Sequence, residues 1–163
     1  MSTEIPAAID YKAPADVRVA VVVARFNARI TDELLKGCLA RLAELGIDSA
    51  RAAVHRVPGA FELPVTALRL ARTRQFSAII CLGAVIRGDT PHFDFVAGQC
   101  AHGIQQVALS EDLPVIFGVL TTNTQQQAED RIGGAHSHAG RNAAEAAVEM
   151  IGCFQRISRD NGR

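Results

Sequence analysis

The sequence LGAVIRGDTPHFD, residues 82–94, joins the end of a buried strand to the start of an amphipathic helix. The strand is indicated by the apolar run AIICL at residues 78–82, because a parallel strand covered on both faces is hydrophobic throughout. The turn that follows contains residue types that favour a tight bend and a helix start, namely Gly88, Asp89, Thr90 and Pro91. Backbone N–H groups point outward at such a junction, so the stretch predicts an anion site.

The same pattern of a strand followed by a helix repeats along the chain. Strands are predicted at residues 17–24, 49–57, 78–82 and 114–120, and the polar residues of the second place it at a sheet edge. Helices are predicted at residues 31–45, 62–74, 91–110, 128–131 and 141–157, with Thr31 as the first N-cap and a glycine- and histidine-rich turn at 133–140. This alternation predicts an α/β fold, a single three-layer domain with a four-stranded parallel sheet flanked by helices on both faces.

The length of 163 residues is sufficient for one domain with a core of its own. Residues 1–16 contain two prolines and little periodicity, so they are predicted to form an N-terminal arm outside that core. The α/β domain is predicted to occupy residues 17–158, and residues 159–163 are predicted to be a C-terminal tail.

Charge and hydropathy argue against several classes of partner. Lys+Arg and Asp+Glu are equal at 17 each, so there is no basic field to attract nucleic acid or an anionic membrane. No apolar run reaches membrane-spanning length, and the N-terminus lacks the basic and apolar parts of a signal peptide. We therefore expect a cytoplasmic protein with no nucleic-acid partner and no membrane partner.

The cysteines and histidines do not form a pattern that predicts a metal site. Cys38, Cys81, Cys100 and Cys153 are far apart in sequence and each falls inside a predicted element, which favours buried thiols over ligands or disulfides. The pair His136 and His138 supplies two potential ligands without an accompanying acidic or cysteine set. We expect no metal.

Four loops are predicted at the carboxyl ends of the strands, where open parallel sheets bind their ligands: 25–27, 58–62, 83–92 and 121–123. In the third loop, His92 is a candidate acid/base group because histidine changes charge near neutral pH. The alternative for His92 is a solvated side chain in a first helical turn. The turn itself is either a phosphate site or an ordinary strand-to-helix connection.

Other side chains near this rim also have two interpretations. Phe26 and Phe61 can stack on a flat ring, or they can belong to the core or to an interface. Glu62 can accept hydrogen bonds from sugar-like hydroxyls or complement the dipole of its own helix. Arg131 can bind a phosphate bidentately or interact with the C-terminus of a helix.

Five motifs, in this order and at these distances, are more specific than any single residue. They are RFN with IT within 25–31, VPGAFE at 57–62, LGAVIRGDTPHF at 82–93, PVIFGVLT at 114–121, and QA with Arg131 within 127–131. Together they resemble the 6,7-dimethyl-8-ribityllumazine synthase family over about residues 17–157. The resemblance implies a flavodoxin-like fold and a transferase of riboflavin biosynthesis that uses neither a metal nor an organic cofactor. The implied reaction condenses 5-amino-6-(D-ribitylamino)uracil with 3,4-dihydroxy-2-butanone 4-phosphate and releases phosphate and water.

The resemblance also implies roles for individual residues of this chain. His92 would transfer protons. The pyrimidine and its ribityl chain would bind at Phe26, Ala60, Phe61, Glu62, Ala84, Val85, Ile86 and, across a subunit boundary, Phe117. The butanone phosphate would bind at Asp89, Thr90 and Arg131. Asp94 is a weaker candidate to orient His92, because residues two apart do not share a helix face.

One position departs from the pattern of the family. The family has Lys-Gly before the last helix, and this chain has Ala139-Gly140, so a cation associated with phosphate contact is missing. Arg141 and His138 are the nearby residues that can substitute for it. Because this lysine is missing, a non-catalytic protein that binds a flavin or lumazine is an alternative to the enzyme.

The resemblance implies a homo-oligomer, because a site that uses Phe117 across a boundary is incomplete in one chain. A pentamer is the minimum expected. Multiples of pentamers are permitted, including an icosahedral cage, and riboflavin synthase is a candidate partner. A chiefly structural, shell-forming role is the third interpretation, and the presence of both His92 and Arg131 argues against it.

Overall fold

Four parallel strands form the central sheet of the structure, a computed structural model that describes residues 12–134 and 136–160. The strands are β1 (Val19–Ala24), β2 (Ala52–Val57), β3 (Ala78–Ile86) and β4 (Val115–Thr122), and their order in the sheet is β2-β1-β3-β4. The polar strand β2 lies at one edge, as predicted. β4 forms the other edge.

Helices cover both faces of this sheet, which confirms the predicted flavodoxin-like α/β class. Their bounds are α1 (Ala28–Glu44), α2 (Leu63–Ala71), α3 (His92–Glu111), α4 (Gln125–Glu129) and α5 (Ala139–Asp160), with a 3-10 helix at Ala60–Glu62. Residues of α1 and α5 belong to the core cluster on one face, and residues of α2 and α3 belong to the cluster on the other.

β1 shows why the strands are apolar throughout. Val19, Val21 and Val23 face the α1 and α5 side, whereas Ala20 and Val22 face the α2 and α3 side. All five are buried because successive side chains of a strand point to opposite faces and both faces are covered.

β3 is longer than its apolar run predicted. Residues 83–86 were expected in the turn, but they continue the strand and pair with β4 from Gly83↔Val119 to Ile86↔Thr122. The strand continues because a neighbouring strand supplies hydrogen-bond partners, and that partner is distant in sequence. The true turn is therefore restricted to the residues after Ile86.

The N-cap predicted for α1 is wrong. The helix begins at Ala28, and its N-cap residue is Asn27 in the left-handed conformation, with φ 58° and ψ 45°. Thr31 lies inside the helix and is buried. Within the described residues, the Thr31 hydroxyl has no hydrogen-bond partner.

The segment before α5 contains a small antiparallel ladder where a turn was predicted. Its strands are β5 (Ile132–Gly134) and β6 (Ser137–His138). The predicted helix at 128–131 instead begins and ends earlier, because Thr124 and Gln127 form a capping box at the start of α4.

The ends of the chain are partly outside the described residues, so most of the predicted arm and the last three residues of the predicted tail are not described. Near the start, the backbone N–H of Ala13 donates to the carbonyl of Leu45 at 2.9 Å. At the other end, α5 continues to Asp160 and so includes the first two residues of the predicted tail. None of the helices in ranges 12–134 and 136–160 combines the length and hydropathy needed to span a membrane.

All four cysteines are free thiols. Cys38, Cys81 and Cys100 are buried as predicted, whereas Cys153 on α5 is only half-buried. Burial raises the pKa of the Cys38 thiol to about 12 and that of the Cys100 thiol to about 11, so both stay protonated at neutral pH.

Candidate active site

A cavity of about 680 Å³ opens at the carboxyl ends of β1, β2 and β3. This volume is within the range typical of small-molecule sites. Its walls come from the loop after β1, the loop and 3-10 helix after β2, the end of β3, and the first turns of α3. The lining residues are Phe26, Asn27, Pro58, Gly59, Ala60, Phe61, Glu62, Ala84, Val85, Ile86, Gly88, Thr90, His92, Phe93, Phe95 and Val96.

Most of the predicted site residues lie around this cavity. The structure brings together Phe26, Ala60, Phe61, Glu62, Ala84, Val85, Ile86, Thr90 and His92. Asp89, Phe117 and Arg131 do not line it within this chain. The rim predicted from strand order therefore exists. Phe117 and Arg131 lie elsewhere, whereas Asp89 lies between the lining residues Gly88 and Thr90 without lining the cavity itself.

Two exposed aromatic rings give the cavity an apolar character. Phe26 is 71% exposed and Phe61 is 57% exposed, although large hydrophobic side chains of this type are usually buried. Exposed rings beside a concave surface indicate a binding site for an apolar or flat group.

Glu62 has a structural contact as well as a position in the cavity wall. Its carboxylate accepts a hydrogen bond from the backbone N–H of Gly59 at 2.9 Å, at the start of the 3-10 helix. A carboxylate offers about four acceptor sites, so the remaining lone pairs can receive hydroxyl groups of a ligand. The capping role and the binding role are compatible.

Asn27 is a site residue that the sequence interpretation missed. Its side-chain amide donates to the backbone carbonyl of Ala84 at 2.8 Å and so ties the loop after β1 to the end of β3. The left-handed backbone of Asn27 is one that asparagine adopts more readily than most residues. The Phe-Asn pair after a buried strand was the signal that could have suggested this role.

β3 presents an open backbone edge to the cavity. β1 pairs with β3 only as far as Val23↔Leu82, so beyond Leu82 the side of β3 that faces β1 has no strand neighbour. Asn27 occupies one acceptor there, the Ala84 carbonyl. Because alternate residues of a strand direct their N–H and C=O groups to the same side, Ile86 directs its backbone toward this open side as well.

Arg87 connects β3 to the start of α3. Its guanidinium donates to both carboxylate oxygens of Asp94, at 2.8 and 3.2 Å, and its Nε donates to Asn123 at 3.1 Å. The hydrogen bonds from Arg87 lower the pKa of Asp94 below its ordinary value. Asp94 therefore binds Arg87, and its predicted role as the partner of His92 is wrong.

The start of α3 has no side-chain cap. Its N-cap residue is Pro91, and neither Asp89 nor Thr90 makes a side-chain hydrogen bond to the described residues. Although both residue types favour a helix start, neither side chain caps this helix. Both are exposed in the loop between β3 and α3, where free backbone N–H groups remain available to an anion.

Phe117 and Arg131 lie apart from the cavity. Phe117 pairs in register with Cys81, three residues before Ala84 along β3, which places it about 10 Å down the sheet from the cavity wall. Its side chain is exposed on the edge strand β4. The Arg131 guanidinium donates to the Gln127 carbonyl at 2.7 Å, as the interpretation of a helix C-terminal contact anticipated.

The two proposed substitutes for the missing lysine at 139 are engaged on α1. Arg141 donates to both carboxylate oxygens of Glu44, at 2.7 and 3.0 Å, and Arg141 and then Arg41 lower the pKa of Glu44 to about 2. The His138 ring lies against Gly37 of α1, and burial lowers its pKa. Neither residue lines the cavity.

Within ranges 12–134 and 136–160, no three histidine, cysteine, aspartate or glutamate residues are arranged to hold a metal ion. The cavity instead combines aromatic rings, a carboxylate, an open strand edge and a histidine at a helix start. Together the fold and this cavity define a flavodoxin-like α/β enzyme whose site lies beyond the carboxyl ends of its strands.

Comparison with known proteins gives the family. The 6,7-dimethyl-8-ribityllumazine synthase family matches residues 16–155. The chain is 50% identical over 143 residues to the 6,7-dimethyl-8-ribityllumazine synthase of Thermus thermophilus, covering 88% of this chain and 91% of the relative. It is 47% identical over 152 residues to that of Protochlamydia amoebophila, covering 91% and 88%, and 47% identical over 140 residues to that of Coxiella burnetii, covering 86% and 93%. The chain therefore belongs to the 6,7-dimethyl-8-ribityllumazine synthase family, a family of transferases in riboflavin biosynthesis.

Proposed function

We propose that this chain condenses 5-amino-6-(D-ribitylamino)uracil with 3,4-dihydroxy-2-butanone 4-phosphate to 6,7-dimethyl-8-ribityllumazine, releasing phosphate and water. The observation that carries the proposal is one cavity, at the end of β3, that Phe26, Glu62 and His92 line together. Each of these groups suits one part of the two substrates. Phe26 suits the flat ring, Glu62 suits the chain of hydroxyls, and His92 suits the ketone, whose reaction with the amine requires proton transfer.

The pyrimidine is proposed to bind between Phe26 and the end of β3. A phenyl ring with 71% exposure offers a face for stacking. The open backbone edge at Ala84–Ile86 supplies hydrogen-bond donors and acceptors in the plane of the strand, which match the edge of a uracil ring. Stacking and edge contacts together orient the amine of the pyrimidine.

The ribityl chain is proposed to extend along the 3-10 helix at Ala60–Glu62. Ala60 is buried and forms the floor, whereas Phe61 offers an apolar wall. The Glu62 carboxylate is an acceptor for hydroxyl groups. Hydrogen bonds to a charged acceptor are stronger than neutral ones, so Glu62 contributes both affinity and orientation.

The butanone phosphate is proposed to bind at the loop that contains Gly88 and Thr90 and at the backbone N–H groups of the first turn of α3. A helix start favours an anion through its free N–H groups and its dipole. Arg131 is proposed to complete this phosphate site from a neighbouring copy of the chain, because it does not reach the cavity of its own chain. The role of Asp89 in binding this phosphate stays a prediction.

His92 is proposed to carry the proton transfers. Attack of the amine on the ketone forms a carbinolamine, and its dehydration, the elimination of phosphate and ring closure each require a proton to move. Histidine can take up and give back a proton near neutral pH, so one residue can serve these steps in turn. Holding both substrates in one cavity supplies a further part of the rate.

A homo-oligomer is proposed from the placement of Phe117 and Arg131. Phe117 is exposed on the edge strand β4, so it is available to complete the aromatic cavity of a neighbouring copy. A pentamer is the smallest assembly proposed, with multiples of pentamers and an icosahedral cage as larger forms. Association with riboflavin synthase stays a prediction.

A non-catalytic protein that binds a lumazine or flavin is the second candidate. It is favoured by the missing lysine at Ala139 together with the engagement of Arg141 by Glu44 and the burial of His138, which leave no substitute cation at the cavity from this segment. Such a protein would keep the ring-binding wall and would lack turnover.

Turnover separates the two candidates. Both substrates are mixed with the purified chain, and lumazine absorbance and fluorescence are followed, with a parallel titration of the pyrimidine alone. The synthase predicts product that accumulates over many turnovers. Saturable binding of the pyrimidine without product formation would contradict it and favour the binding protein.

A further inference from the structure

Arg87 makes polar contacts with two other elements, the end of β4, which is distant in sequence, and the start of α3. It follows the last residue of β3, and its backbone N–H donates to the Thr122 carbonyl at 2.9 Å. Its Nε donates to the Asn123 side chain beyond β4, and its two terminal nitrogens form a bidentate pair with Asp94 of α3. One side chain thus joins the ends of two strands to the first turn of a helix.

The guanidinium also lies over the ring of Phe93, with its central carbon 4.1 Å from the ring centroid. Phe93 itself lines the cavity and packs against the core cluster that includes residues of α2 and α3. The contact therefore combines a cation–π interaction with the bidentate ion pair. Both contacts are made to the residues that directly follow His92.

The loop that leads to His92 has few other constraints. Within the described residues, Asp89 and Thr90 form no side-chain hydrogen bond, and no side-chain bond caps α3. A Cβ at Gly88 would meet no atom within 4 Å, so this residue is not packed against a neighbour. The first turn of α3 is consequently held by the packing of Phe93 against the core and by the polar contacts that Arg87 makes.

We propose that Arg87 is a positioning residue for the reaction, which holds the first turn of α3 through Asp94, Phe93 and Asn123 so that the imidazole of His92 faces the cavity. The inference rests on the proposed function of the site. An arginine is required because its planar, forked guanidinium binds a carboxylate bidentately and lies flat on a ring at the same time. A lysine can satisfy neither geometry fully.

A double-mutant cycle tests this role. Steady-state kcat and KM for both substrates are measured for the full-length wild type, Arg87→Ala, His92→Ala and the double variant. We expect His92→Ala to lower kcat about 100-fold, which is the low end for acid–base catalysis, and Arg87→Ala to lower it about 10-fold with KM changed less than about two-fold. In the His92→Ala background, Arg87→Ala should change kcat by less than about two-fold, because there is no imidazole left to position.

Two conservative variants separate positioning from general loss of structure. Arg87→Lys keeps the charge and Asp94→Asn keeps the shape of the partner, and each should lower kcat several-fold while thermal unfolding stays close to wild type. Glu44→Gln is the matched control. It disrupts the bidentate pair of Arg141 and Glu44, whose side chains are 36% and 47% exposed compared with 41% and 60% for Arg87 and Asp94. Its kcat should equal that of the wild type.

The outcomes are distinct. Two results would overturn the positioning role while leaving the synthase activity intact. One is a double variant whose fold-loss of kcat equals the product of the losses in the two single variants. The other is an unchanged kcat in Arg87→Lys and Asp94→Asn. An unchanged kcat in His92→Ala would overturn it as well. A wild-type chain that makes no product would instead show that the proposed function itself is wrong.

Discussion

His92 is the first residue of α3, and its exposed imidazole lines the cavity between Thr90 and Phe93. Its position follows from three local features: the end of β3, the Asn27 hydrogen bond to Ala84, and the contacts of Arg87. A group at a helix start is close to the free N–H groups that attract phosphate, so proton transfer and phosphate binding can occur side by side.

The first prediction concerns the chemistry of this residue. His92→Asn should lower kcat by roughly 100-fold with little change in either KM, because a positioned acid–base group acts mainly in the transition state. Steady-state lumazine formation measures the effect. His102→Asn, an exposed histidine further along α3 that does not line the cavity, is the control and should have wild-type kcat. Equal kcat values in the two variants would contradict the role of His92.

The predicted strand order brought the loops with Phe26, Glu62 and His92 to one edge of the sheet, and the resemblance to the family supplied their roles and the other predicted residues of the cavity wall. The same reasoning could not find Arg87 or Asn27. Their partners, Asn123 and Ala84, are 36 and 57 residues away in sequence, and only the assembled sheet brings them together. Asp94 was assigned to the wrong partner although Arg87 is only seven residues away, because the bend between β3 and α3 that brings the two side chains together cannot be read from residue types.

At the scale of secondary-structure elements, the α1 and α5 contact supports the face of the sheet opposite α2 and α3. Gly140 of α5 is buried against the backbone of Leu34, and Gly37 of α1 lies under the His138 ring. Gly140 allows the two helices to approach closely, and Gly37 makes room for the His138 ring of β6, just before α5. The contact also includes ion pairs among Arg41, Glu44, Glu145 and Arg141. The Arg41 side chain is mostly buried, whereas the pair of Arg141 and Glu44 is more exposed and contributes little.

The second prediction tests this close approach. Gly140→Ala should lower the free energy of unfolding by about 1–3 kcal/mol, because its Cβ would meet the carbonyl of Leu34. Gly98→Ala, in the interior of α3 with no atom within 4 Å of the added Cβ, is the matched control and should stabilise by about 0.5–1 kcal/mol. Denaturant unfolding of both variants provides the comparison. Similar stability changes of the same sign would show that the two helices are not closely packed at Gly140.

The third prediction concerns pH. Burial lowers the pKa of His138 below its ordinary value of 6.5; a backbone hydrogen bond and Glu33 oppose this shift, and Arg141 and Lys36 add to it. The folded protein therefore resists a proton that the unfolded chain accepts, so the stabilising effect is complete above pH 6.5 and is lost as pH falls through the folded pKa. Thermal unfolding between about pH 7.5 and about pH 5 should show decreasing stability, and His138→Gln should decrease less. An identical pH dependence in the variant would contradict this assignment.

Element types were predictable where the pattern was long, as in the buried valines of β1 or the apolar stripe of α1. The residues at which elements begin and end were not predictable in the same way. β3 continues to Ile86 because β4 pairs with it, and the ladder of β5 and β6 is too short for any periodic signal. The start of α1 depended on one left-handed residue, Asn27, which propensity alone does not reveal.

At the scale of the whole molecule, one chain provides the cavity but not every residue assigned to it. Phe117 and Arg131 lie outside the cavity, so the proposed site is complete only when a second copy supplies them. The sequence of one chain predicted the parallel sheet from its own alternating pattern. It contained no comparable periodic signal for the assembly, because contacts between copies leave no period in the sequence.

The fourth prediction tests a site shared between copies. His92→Ala and Arg131→Ala should each have low activity. Assemblies that contain both variants, made by co-expression, should regain roughly a quarter of the wild-type activity, because random mixing in a ring places an intact His92 beside an intact neighbouring Arg131 at that frequency. Light scattering should give both variants the wild-type mass, at least five times the 17.4 kDa of one chain. Mixed assemblies no more active than the average of the two variants would indicate that each chain acts alone.

The central claim is that this cavity makes a lumazine from two substrates rather than only binding one. Its most direct test is the stoichiometry of turnover: purified wild-type chain with both substrates, followed simultaneously for lumazine absorbance and free phosphate. We predict one phosphate released for each lumazine formed, over many turnovers per chain. Saturable binding of the pyrimidine with no lumazine and no phosphate release above the uncatalysed background would contradict it.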